Sequence, residues 1–234
     1  MLNSTILLKV KQRLNKLASD DYDNLQDWQV IEAFNKGQVD WCRRNLHGLN
    51  IVKEGDEQST RRIDDLQPLL VTITPVLTNR KTYYESNTLP ANYMQWKRLS
   101  ASAVNECCPE PRPMVIYLAE QANVDELLRD NNKKPSFEWA ETFLTMKGDK
   151  MQIYTNGEFD IVDAQLTYYR QPTRIEIAGV KDPYTGLTPT VDVIADFKDD
   201  LVEVFIDECA KIIAGDIESM NQVQRQTQST EGNN

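Results

Sequence analysis

Apolar side chains recur at Leu7, Val10, Leu14 and Leu17, a helical spacing, with Asn3 or Ser4 placed to cap the first turn. After the polar break ASDDYDN, a second helix is predicted from about Asp27 to Leu46. Its apolar side is carried by Trp28, Ile31, Phe34 and Trp41, and Gly48 provides a stop. A short third helix, Ser59 to Leu66, ends before Pro68. The period then falls to two. LLVTITPVLT, WKRLSASAV (Leu99, Ala101 and Ala103 on one face) and PMVIYLAE read as strands, and NVDELLRDNNKKPSFEWAET reads as a helical turn followed by a long polar loop.

Further on, FLTMKGDKMQIYTNGEFDIVDAQLTYYRQP carries two turn signals, Gly148-Asp149 and Asn156-Gly157, between alternating segments, which predicts a three-stranded antiparallel meander. In its last strand Val162, Ala164, Leu166 and Tyr168 are expected to face the core, and Asp163, Gln165, Thr167 and Tyr169 to face outward. Pro172 cannot donate a ladder bond, so the strand is interrupted there or lies at an edge. The loop KDPYTGLTPTVD leads to a terminal helix with Asp196 as its expected N-cap. Asp199 and Asp200 stand at the positive end of its dipole, and Val202, Ile206, Cys209, Ile213, Ile217 and Met220 form a stripe that Leu201, Phe205 and Ile212 widen. The fold class is α+β: N-terminal helices, an antiparallel β core with the meander, and a long C-terminal amphipathic helix. The expected parts are a helical region over 1–48, the β core with long loops over 49–195, a helix packing on that core over 196–220, and a polar tail over 221–234.

A chain of 234 residues can bury a full core in one domain or two small lobes. No apolar run reaches the roughly 18 residues of a membrane span, and the N-terminus does not read as a signal peptide. The balance of 26 Lys and Arg against 36 Asp and Glu, a net charge of −10, argues against docking on nucleic acid, which needs clustered cations. Cys42, the adjacent Cys107 and Cys108, and Cys209 do not suggest a disulfide framework.

The inventory of chemistry is thin. His47 is the single histidine, and its position at a helix end suits a structural role. Five Cys and His residues without ligand spacing do not form a zinc site. The carboxylate clusters at Asp20-Asp21-Asp23, Asp64-Asp65, Asp199-Asp200-Glu203 and Asp207-Glu208 read as loop solubility and helix-dipole complementation. No phosphate-cradling glycine loop, GxSxG elbow or HExxH motif is present. No catalytic residue, cofactor or metal is expected.

Several segments mix cations with aromatics: NRKTYY, WKR, NNKKPSFEW and YYRQPTR. Single-stranded nucleic-acid platforms do so, but so do protein interfaces, and the acidic balance favours the latter. The expected interface residues are Trp139, Tyr169, Arg170 and Arg174. Gln224, Gln226 and Gln228 in the tail have too little apolar company to fold alone and are expected to lie on a neighbouring subunit.

Taken in order, STRRIDDLQPLL, TLPANYMQW, VDELLRDNNKKPSFEWAETF, KMQIYTNGEF, AQLTYYRQPTRI and DFKDDLVEVFIDECAKIIAGDIES resemble a ring protein of crAss-like short-tailed bacteriophages, over roughly Ser59 to Ser219. Such proteins belong to the head-to-tail connector, or adaptor, assemblies beneath the portal. The resemblance implies a structural virion protein, not an enzyme. It would form a homo-oligomeric ring, twelve-fold like the portal, at the portal vertex and tail, after assembly in the host cytoplasm. Its partners would be the portal protein and other connector or tail proteins. DNA would pass through the lumen without specific binding, and an acidic protein suits a wall that must repel phosphate. The rival functions are a carboxylate-dependent phage hydrolase and a single-stranded nucleic-acid-binding protein.

Overall fold

The structure is a computed structural model that describes residues 1–15, 25–47 and 64–216. It confirms the α+β class, with N-terminal helices, a sheet and a long C-terminal helix. The chain divides into two compact units: Met1–Leu69 together with Gln171–Asn234, and Leu70–Arg170.

The first unit is helical. Helices α1 (Asn3–Asn15) and α2 (Asp27–His47) both pack against the terminal helix, here α4 (Asp199–Asp216). Its core holds Ile6, Val10 and Leu14 from α1, Val30, Phe34, Trp41 and Cys42 from α2, and Val202, Phe205, Ile206, Cys209 and Ile213 from α4. Trp41, Phe197 and Phe205 meet edge to face, with centroids 4.9–6.0 Å apart, a geometry favoured by the ring quadrupoles. Small residues let α2 and α4 approach closely: Ala33 and Gly37 on one, Ala210 and Ala214 on the other, all buried. A Cβ placed on Gly37 would lie 3.4 Å from the Cβ of Glu208.

This arrangement corrects two expected boundaries. The terminal helix packs on the N-terminal helices and belongs to their unit, and 171–195 belongs to that unit as well. Nor does Asp196 cap it. The helix begins at Asp199, and the Asp196 carboxylate accepts the Thr173 N–H at 2.8 Å, tying two loop segments together. Asn3 likewise turns its amide outward from α1, donating to the carbonyls of Glu176 and Val193 at 2.8 Å each. The predicted helix at Ser59–Leu66 lies mostly outside the described residues, as do Ile217, Met220 and the tail; Leu66 is described and buried.

The second unit holds β1 (Leu70–Ile73), β2 (Leu77–Asn79), β3 (Tyr83–Ser86), β4 (Tyr93–Asn105), β5 (Cys108–Leu118), β6 (Glu141–Lys147), β7 (Lys150–Tyr154) and β8 (Asp160–Arg170). The strand order is β1-β8-β4-β5-β6-β7-β3-β2. Seven spacings of ~4.8 Å would set the outer strands of a flat sheet about 34 Å apart. Yet β1 and β2 are joined by Thr74, Pro75 and Val76 alone, a link that reaches roughly 14 Å at most. The sheet must therefore curl until its edge strands approach and one of its faces becomes an interior. Side chains from β3 to β8 accordingly share one interior, with Tyr84, Leu99, Met114, Leu144, Ile153, Ile161 and Leu166 among them. Outside, the short helix α3 (Val124–Arg129) adds Val124 to Phe143 and Tyr154, whose rings stack at 4.8 Å.

Two features of the expected β core are corrected. The sheet is mixed, because β5 and β6 run parallel. The meander is only a hairpin, β6–β7 across Gly148-Asp149. Asn156 and Gly157 do take positive φ, 51° and 75°, as the turn pair demands. However, the N–H groups of Thr155 and Asn156 both bond to Thr82 O, which holds the end of β7 beside β3. After the turn Phe159 enters the core, and β8 emerges between β1 and β4.

Candidate functional site

Of the residues singled out for an interface, Trp139 is exposed at 76% and stands on the polar loop before β6. Arg174 is exposed and pairs with Glu32 at 2.6 Å. Tyr169 is not exposed, and this corrects its expected outward placement at an interface: the residue is 6% accessible, with Lys97 Nζ 6.0 Å from its ring centroid. Burial pushes its phenol pKa above the usual value. Arg170 is half-buried beside it. Val162, expected in the core, is 54% exposed. Opposite β4 the register moves from Ser102↔Asp163 to Ala103↔Ile161, so a bulge at Val162 hands the inward position to Ile161. Gln224, Gln226 and Gln228 lie outside the described residues, as does the His47 side chain.

The structure adds a feature that residue types did not reveal. Between Ile175 and Ile194 the chain of the helical unit makes a long irregular arm that returns on itself. Its base is the two-way bond between Glu176 and Val193 (3.1 and 2.9 Å), followed by Gly179 N–H to Pro189 O at 3.0 Å and Asp182 N–H to Leu187 O at 2.9 Å. Asp182 organises the turn by accepting the Tyr184 N–H at 2.8 Å and the Thr185 hydroxyl at 3.0 Å. The Tyr184 bond leads in holding the Asp182 carboxyl below the usual aspartate range. At the base the Asn35 amide pairs with both backbone groups of Ile175, accepting the N–H at 2.8 Å and donating to the carbonyl at 3.3 Å.

The arm leaves Tyr184 (75% exposed), Leu187, Val191 and Ile194 in solvent. Arm and α2 together bound a groove of about 830 Å³, where Trp28 meets Tyr184 edge to face at 6.2 Å and Glu32 pairs with Arg174. An apolar groove with aromatics and one ion pair is the composition of a protein-contact surface. The signal in the sequence was there but weak: KDPYTGLTPTVDVI scatters apolar residues among Pro, Gly and Thr with neither helical nor strand period, so no regular element can bury them.

The ionisable groups are arranged for structure. Glu203 on α4 is partly buried, which favours its neutral form, but Lys9 and Arg13 outweigh burial and hold its pKa below the usual range; the Arg13 bond is 2.7 Å. Arg13 also reaches Asp207 at 3.0 Å, and buried Glu208 pairs with Arg44. In the β unit, burial and a 2.6 Å bond donated to Asp160 raise the Tyr84 phenol to about 12. Burial alone lifts the Cys42 thiol to about 12, and Cys209 is raised similarly, so both are inert packing groups. Among the described residues no group of three or more His, Cys, Asp or Glu side chains could hold a metal ion, and no helix is long and apolar enough to cross a membrane. No family model matches the chain, and no curated protein matches it.

Proposed function

We propose that the chain is a virion structural protein, a ring subunit of the head-to-tail connector of a short-tailed phage, stacked between portal and tail. The observation that carries this reading is the apolar arm over 175–194, whose Tyr184, Leu187, Val191 and Ile194 stand in solvent and find a use when another subunit covers them. The ordered motifs resembling crAss-like ring proteins supply the setting. The net charge of −10 suits a channel past which DNA slides. A closed ring needs a heterologous contact, in which the arm of one subunit meets a different surface of the next, and exposed Trp139 is the counterpart candidate.

The test is assembly with the portal protein of the same phage, imaged by electron microscopy. A twelve-fold ring seated on the portal is expected. Truncation after Met220 removes a polar segment with too little apolar area to fold alone, and it should leave melting unchanged while impairing incorporation. A stable two-fold dimer that buries the arm and Trp139 against themselves would sink the proposal.

A further inference from the structure

Strand β5 changes neighbours part-way along. Val115–Leu118 pair with β6, while Met114 and the residues before it pair with β4 on the other side. Val115 donates its N–H to Ala140 O at 2.7 Å and Ala119 to Leu144 O at 2.8 Å, so the odd-numbered residues turn their backbone groups toward β6. In a strand, residues two apart turn the same way. Pro113 therefore faces the side that β6 occupies further along, and at Cys108–Pro113 no described strand pairs there. All six residues of this stretch are exposed.

Such an edge ordinarily offers alternating donors and acceptors, and it recruits a strand from another molecule. Here it cannot. Pro109, Pro111 and Pro113 carry no N–H, and the prolines recur at every second position. Pro109 and Pro111 lie in the offset between the pairs Ala103↔Arg112 and Asn105↔Cys108, and whichever way that irregular stretch turns them they have nothing to donate. Arg112 and Met114, which keep their N–H groups, are the residues opposite β4. What the free side presents is carbonyl oxygen. Two copies brought edge to edge would set acceptor against acceptor.

We propose that the Cys108–Pro113 edge is built to refuse strand addition by a second copy of this chain, so that this end of β5 cannot close a sheet-to-sheet, two-fold dimer. Backbone geometry alone imposes this refusal, whether or not the chain works as a ring subunit. Three prolines thereby decide which contacts between copies are forbidden.

The experiment is the full-length triple variant Pro109→Thr, Pro111→Thr, Pro113→Thr, compared with the parent by sedimentation velocity over a wide concentration range. Restored donors should tighten self-association by roughly tenfold or more. A variant with native circular dichroism and the parent's sedimentation at every concentration overturns the proposal. Should the triple variant fail to fold, Pro113→Thr alone is read by hydrogen exchange. The amide introduced at 113 should become slower to exchange as protein concentration rises, and concentration-independent exchange there overturns the proposal equally.

Discussion

Asn35 shows how one side chain can organise a segment remote in sequence. It is buried in α2, and its amide substitutes for a neighbouring strand by satisfying both the N–H and the carbonyl of Ile175, with Gln38 donating to it at 3.1 Å. Asn35→Ala should leave two buried backbone groups unpaired and cost about 2–4 kcal/mol, read as a lower urea midpoint at unchanged slope. Glu203 gives the pH dependence. A carboxylate whose native pKa is depressed by Lys9 and Arg13 contributes stability above the unfolded glutamate value, near ~4.3, and loses it as pH falls through the depressed native value. The difference in melting temperature between the parent and Glu203→Gln should be widest at neutral pH and close in acid; a constant difference from pH 7 to 2 would remove the ion-pair explanation. At this scale the sequence was legible where one periodicity governs, as at Val10, Leu14, Val202 and Ile206, all buried. It misled where a bulge intervenes. Alternation assigned Val162 inward, and a single extra residue in the ladder reversed it. Tyr169 was misread for another reason: it was assumed to lie on a solvated face, whereas Tyr168 and Tyr169 are both buried on opposite faces of β8.

The α2–α4 contact places its constraint on Gly37. A Cβ there would stand 3.4 Å from the Glu208 Cβ and 3.7 Å from the Phe205 carbonyl, which leaves room for one methyl group and no more. Gly37→Ala should therefore be neutral or stabilising by up to about 1 kcal/mol through helix propensity. Gly37→Leu should cost about 1–3 kcal/mol by prising the helices apart. Equal destabilisation by both variants in thermal melts would mean that the helices do not approach as described. Helix α2 was legible almost to its ends, because its apolar positions and first-turn Asp27 agree. The β6–β7 hairpin was legible from Gly148-Asp149 for the same reason of local agreement. The Asn156-Gly157 turn was found as well, but what it joins was not. Turn chemistry fixes backbone dihedrals over two residues, whereas the choice of β3 over β8 as the neighbour of β7 is made by distant pairing and by Phe159 entering the core. The 175–194 arm escaped for want of any period.

At the scale of the whole molecule, the discontinuous division was invisible to local pattern: 171–195 follows a strand and so was assigned to the β core, yet it folds with the helices. The division carries a consequence that can be measured. The β unit begins on β1 and ends on β8, and these strands pair directly, Leu70 opposite Tyr169. Opposed residues in an antiparallel pair lie about 5 Å apart, so the two ends of the unit are neighbours, as in a domain inserted into a loop of another. The unit contains its own hydrophobic interior, and about a hundred residues suffice for a domain to fold alone. The fragment Leu70–Arg170 is therefore expected to be folded in isolation, with dispersed amide resonances and a cooperative melt. The converse variant, in which a few Gly and Ser residues replace 70–170, should keep the helical circular dichroism of the remainder, because so short a gap needs no long bridge. A fragment 70–170 that shows collapsed amide dispersion and no melting transition, while the intact chain melts cooperatively, would mean that the β unit depends on the helices for its fold.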